Sequence, residues 1–145
     1  MMDDCRTRLC CPAVIADLPR IVEFVEDACE QAGVAPAARF DLQLAVEEAC
    51  TNVIEHAYAG RGGDFNVEFD VRGPDVVITV RDRGEPFDPT SVPMPDRNLP
   101  LERRRIGGLG LYLMRQLMDE MHFSFSADGN VLEMVKRDVV PVRAP

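Results

Sequence analysis

Residues 41–58, Asp-Leu-Gln-Leu-Ala-Val-Glu-Glu-Ala-Cys-Thr-Asn-Val-Ile-Glu-His-Ala-Tyr, contain neither glycine nor proline. A stretch of this length and composition predicts one long helix. At about 3.6 residues per turn, Leu42, Val46, Ala49, Cys50, Val53 and Ala57 share one face, the core side. Gln43, Glu47, Thr51 and Glu55 lie opposite, toward water. A third stripe, Glu48, Asn52 and His56, is spaced i, i+4, i+8 and drifts to the edge of the apolar face. Ala45 and Ala49 beside it leave room for a ligand. A carboxylate, an amide and an imidazole at a core boundary need partners, because burying them unpaired is costly. Taken alone, the stripe suits a solvated helix edge with a satisfied histidine slightly better than a site.

Around this helix the pattern alternates between strand and helix. Residues 6–13 read as a first strand ending at Pro12. Asp17 is positioned to cap a second helix with Pro19 in its first turn. Ile21, Phe24, Val25, Ala28 and Cys29 give that helix one apolar face, and Gly33 stops it. Pro36 then precedes the central helix. Beyond Gly60-Arg-Gly-Gly63, Phe65, Val67, Phe69 and Val71 alternate with polar residues, as a half-buried strand does. Gly73-Pro74-Asp75 makes a tight turn, and Val76, Ile78 and Val80 form the inward row of a partner strand. Asp82 continues that row. It is either an acid placed at the end of a core-facing row or simply the first residue of the turn at Gly84.

Residues 85–106 hold five prolines and many charges, a loop of the length used for lids over functional sites. The loop ends in Arg103-Arg104-Arg105 and runs into Ile106-Gly107-Gly108-Leu109-Gly110, which opens a helix. Glycines at a helix N-terminus let backbone N–H groups approach an anion. Leu111, Met114, Leu117, Met118 and Met121 give that helix a core stripe. Phe123 and Phe125 lead to a hairpin turn at Asp128-Gly129 and a return strand over 131–136, after which the tail frays.

A net charge of −9 argues against a nucleic-acid surface. No apolar run approaches the roughly 20 residues that span a bilayer. The five cysteines include no CxxC pair, which disfavours a disulfide framework or a zinc site and fits a reducing cytoplasm. The length predicts one domain over residues 1–145, with its core at about 6–137.

Three signals stand in a fixed order: Glu48-x-x-x-Asn52 on a helix, Asp82-x-Gly84 after a strand, and Gly108-Leu-Gly110-Leu111 after a lid. Together they resemble the motif boxes of the GHKL ATPase superfamily. Glu48-Ala-Cys-Thr-Asn-Val-Ile-Glu-His-Ala-Tyr58, Arg81-Asp-Arg-Gly-Glu-Pro-Phe-Asp88 and the run from Gly108 to Met121 are closest to the anti-sigma-factor serine kinases of the RsbW and SpoIIAB type. The resemblance implies an α/β two-layer sandwich of Bergerat type, with a mixed, mostly antiparallel sheet covered on one face by helices. It also implies ATP and magnesium as cofactors.

By position, the resemblance makes Glu48 the general base toward a serine hydroxyl and Asn52 the magnesium ligand. Asp82 would accept the adenine amino hydrogen, and Gly84 would let adenine approach the backbone. Gly108, Leu109, Gly110 and Leu111 form the phosphate-binding turn. Arg104 or Arg105 reaches the terminal phosphate, and His56 lines the pocket. Pro86 stands where the family carries a second glycine, which predicts a stiffer lid hinge. The function implied is a cytoplasmic serine/threonine protein kinase, homodimeric, that phosphorylates a STAS-type anti-anti-sigma partner and silences a sigma factor. The alternative is a binding module that holds such a partner without phosphoryl transfer. The ATP-binding half of a histidine kinase fits less well, because no phospho-acceptor hairpin fits before residue 41 and the only histidines are His56 and His122.

Overall fold

The computed structural model describes residues 6–88 and 106–141, and for 106–111 the backbone alone. Strands β1 (Thr7–Pro12), β2 (Asp64–Arg72), β3 (Asp75–Asp82), β4 (Glu120–Ser126) and β5 (Gly129–Lys136) form one sheet in the order β1-β2-β3-β5-β4. Among the described residues every pairing is antiparallel, so the expected mixed sheet has no parallel pair. The reason is topological. β4 runs in the same direction as β3, but the tight β4–β5 hairpin inserts β5 between them.

Helices α1 (Leu18–Ala32), α2 (Pro36–Asn52) and α3 (Ile106–Leu117) complete the layer, with α2 packed between α1 and α3. The inward rows behave as their period-2 pattern predicts. Phe65, Val67, Phe69, Val76, Ile78 and Val80 join Ile21, Val25, Leu42, Val46 and Met114 in one buried cluster. Each such side chain contributes roughly 1.5–3 kcal/mol of burial free energy. Of the adjacent Cys10 and Cys11, the first is exposed and the second buried, as alternation requires.

Several boundaries differ from the sequence reading. Helix α2 starts at Pro36, a residue preset for the first helical position. Its α-helical part stops at Asn52, and Val53–Ala57 form a π-turn in which the Tyr58 amide donates to the Val53 carbonyl at 3.0 Å. Asp17 occupies the N-cap of α1 without a side-chain capping bond, because a 3-10 turn over Ile15–Asp17 leads into the helix. Gly33, at φ 78°, ends α1 as expected. Helix α3 ends at Leu117, so the methionine stripe is shared: Met118 follows the helix and Met121 lies on β4. The chain after β5 is held rather than frayed through Val140, since the Val139 and Val140 amides both donate to the Pro74 carbonyl at 2.9 Å. Lys136 fastens the far end of the sheet, pairing with Asp41 of α2 at 3.3 Å and donating to the Leu117 carbonyl. No helix among the described residues is long and apolar enough to cross a membrane.

Candidate active site

The site grows from the ends of two inward rows. On β3 the row Val76, Ile78, Val80 ends in Asp82, which is 8% exposed. On β5 the row Lys136, Met134, Leu132 ends in Asn130, directly opposite Asp82 in the ladder. The Asn130 Nδ2 and the Gly84 amide both donate to Asp82 Oδ1, each at 2.8 Å. Burial pushes the Asp82 carboxyl above the usual range, and these donors offset that only in part.

The loop leaving β3 is fixed on both sides. The Glu85 amide donates to the Ala57 carbonyl at 2.9 Å, at the end of the π-turn. The Glu85 carbonyl accepts from Asn130 Nδ2 at 2.9 Å, and the Phe87 amide donates to Asn130 Oδ1 at 2.9 Å. Pro86 between them has no amide hydrogen to satisfy. Tyr58 adds a further clamp: its hydroxyl donates to the Asp64 carbonyl at 2.5 Å and accepts from the Arg83 amide at 2.9 Å. Gly84 carries a packing duty besides any toward a ligand. A β-carbon there would stand 2.5 Å from the Ala57 carbonyl oxygen.

On α2, Glu48 and Asn52 remain one α-helical turn apart, as the spacing predicts. Asn52 is buried and lines a cleft together with Ala49, Val53, Val80, Asp82 and Met114. The Phe87 ring and the β4–β5 hairpin complete the wall. Apolar sides with a buried acid and a buried amide at the edge suit a flat aromatic ring that carries a hydrogen-bond donor. Glu48 is half-buried beside this cleft and is not part of its wall. Its carboxyl is pushed above the usual range, first by burial and then by the charges of Glu47 and Glu55. A raised carboxyl pKa moves a base toward the range in which it exchanges protons near neutrality.

His56 separates from the stripe. The π-turn uses one residue more per hydrogen-bonded turn, so His56 is rotated away from the line through Glu48 and Asn52. It is exposed, and its ring stacks on Phe87 with centroids 5.0 Å apart and planes 12° from parallel. His56 is therefore not among the residues that line the cleft, where the resemblance placed it, and meets it through the Phe87 ring. Gly108, Leu109, Gly110 and Leu111 lie in the first turns of α3, where the backbone is helical from Ile106. Arg104 and Arg105, with the greater part of the lid, lie outside the described residues. Sequence reasoning missed Asn130, Phe87 and Tyr58. The signal for Asn130 was present, since it is a polar residue ending an inward row, as Asp82 is.

An antiparallel sheet under helices, with a buried acid at the end of β3 facing a buried amide on the central helix, defines an α/β sandwich built around a polar-edged cleft. Residues 11–136 match the histidine kinase-like ATPase domain, and the chain belongs to that family. Its relatives include the serine-protein kinase RsbW of Halalkalibacterium halodurans, 38% identical over 66% of this chain and 60% of that one. The RsbW of Bacillus licheniformis is 37% identical over 66% of this chain and 63% of its own length. The chain thus spans less than two thirds of the length of these two relatives. The crystal structure of the RsbU and RsbW domains of a Mycobacterium tuberculosis protein superposes with a TM-score of 0.68 at 19% identity. It covers 97% of this chain and 34% of that one, a likeness of fold.

Proposed function

We propose that the chain binds ATP with magnesium in this cleft and acts as a serine/threonine protein kinase on a STAS-type anti-anti-sigma protein. In the same partner switch it would hold a sigma factor, as a homodimer. One observation carries the reading: Asn52 from α2 and Asp82 from β3 line a single cleft, with Glu48 one helical turn from Asn52. Similarity to RsbW serine-protein kinases supports it.

The roles follow from the chemistry of each group. ATP, when bound, supplies the phosphoryl group. Asp82, a buried acceptor, would take the adenine amino hydrogen, and Val80 and Met114 would face the ring. Asn52 offers an amide oxygen, the hard donor that magnesium prefers. Glu48 would accept the proton of a serine hydroxyl from the partner. Gly108 to Leu111 would bring the N-terminal amides of α3 to the phosphates, with Arg105 reaching the terminal one.

The test is single-turnover transfer from labelled ATP onto a purified cognate STAS protein. Wild type should transfer. Glu48→Gln keeps shape and should bind ATP normally, yet transfer roughly 100-fold more slowly or worse. Near-wild-type transfer by that variant, or none by wild type onto its cognate partner, would refute the kinase reading and leave a binding module.

A further inference from the structure

We infer that Asn130 is a positioning residue for nucleotide recognition, its amide holding both Asp82 and the Gly84–Phe87 loop in the arrangement that receives the base. This rests on the nucleotide reading of the cleft.

The amide is used on three sides. Its nitrogen donates to Asp82 Oδ1 at 2.8 Å and to the Glu85 carbonyl at 2.9 Å. Its oxygen accepts from the Phe87 amide at 2.9 Å. The partners are two acceptors and one donor, so only one orientation of the amide satisfies all three; flipping it would set oxygen against oxygen twice. The backbone beneath is equally constrained. Gly129 has φ 126°, and a β-carbon there would lie 2.0 Å from the Asp82 carbonyl oxygen, so the hairpin presses directly on the end of β3. That contact sets the point from which the Asn130 side chain reaches inward.

Two consequences meet at the cleft. With Asn130 and Gly84 both donating to Oδ1, the Asp82 carboxylate is held in one rotamer as an acceptor. A proton on it would make it a donor and mismatch an amino group. The Phe87 amide is tied to the same side chain, so the ring that forms the cleft wall and stacks on His56 is placed by it too. Asn130 needs no contact with the ligand to do this. A single amide coordinates the ligand-reading acid and the aromatic wall.

The experiment uses the full chain, with calorimetry for ATP in magnesium and backbone amide resonances for the loop. Asn130→Ala should weaken ATP binding at least tenfold, move the Gly84 and Phe87 amide signals, and leave the remaining spectrum of a folded protein. Asn130→Asp is isosteric and still accepts from the Phe87 amide, but it sets a second carboxylate against Asp82. It should lose at least as much affinity while the Phe87 signal stays near its wild-type position. It also decides the matter if the alanine variant does not fold. An ATP affinity within twofold of wild type in either folded variant overturns the assignment, whatever the amide signals do. Absence of ATP binding by wild type would instead overturn the nucleotide reading of the cleft, and this inference with it.

Discussion

Gly84 lies against the carbonyl of Ala57, so close that a β-carbon on it would stand 2.5 Å from the oxygen. The next amide, that of Glu85, donates to the same oxygen at 2.9 Å. The end of the π-turn and the start of the loop are thus one contact, and any residue but glycine must displace backbone to fit there.

Gly84→Ala must displace backbone rather than a flexible side chain. It should lower stability by about 1–3 kcal/mol, the usual cost of overpacking. ATP affinity should fall with it, because the loop carries Phe87. Urea unfolding beside calorimetry checks both, and wild-type stability in the variant would mean the π-turn yields freely.

Asp82→Asn should separate folding from binding. The native carboxyl titrates above its ordinary 3.8 because of burial. The stability it contributes is therefore complete below that pH and is lost as pH rises through the raised native value. A neutral amide avoids that loss and still offers an oxygen to Gly84 and Asn130. At pH 7 the variant should unfold at an equal or higher urea concentration than wild type, while ATP affinity drops at least tenfold. Loss of stability together with affinity would make Asp82 a structural residue.

Asn52→Ala should weaken ATP binding when magnesium is present and change it much less in chelator. The comparison is two titrations that differ only in free metal. Equal losses in both buffers would assign Asn52 to packing.

Glu48 predicts a pH dependence. Burial, then Glu47 and Glu55, hold its native carboxyl above 4.5. Its ionisation therefore costs native stability as pH rises through the raised value, so Glu48→Gln should flatten the stability profile above about pH 4.5 and be no less stable at neutrality. In its proposed role as base it must be deprotonated, so the wild-type transfer rate should climb with pH through the same raised value. A rate profile that is flat across that range would exclude this role.

The inward rows were legible because period-2 alternation is clear over 65–71 and places Phe65, Val67 and Phe69 inside. Val76, Ile78 and Val80 continue it on β3, although Val77 and Thr79 on the opposite face of β3 are buried too. Asp82 was visible by the same logic. Asn130 obeys it too, but it follows Asp128-Gly129, where a polar residue reads as part of a turn. The π-turn left no mark in the sequence. Val53 to Ala57 carry ordinary helical residues, and helical periodicity counts about 3.6 per turn through them. That is why Glu48 and Asn52 were aligned correctly and His56 was not. The contact between Gly84 and Ala57 joins residues far apart in sequence, and a glycine after a strand reads equally well as a turn or as a ligand approach.

The π-turn also bears on how the chain tolerates changes in length. It holds a residue more than an α-helical path would need, placed after the last residue of α2 that lines the cleft. A one-residue deletion within Val53–Ala57 could be absorbed by the helix running on in α-form, leaving Glu48 and Asn52 in phase. The same deletion between Glu48 and Asn52 would swing one about 100° around the helix from the other. Alignments of this segment should therefore place their gaps after Asn52.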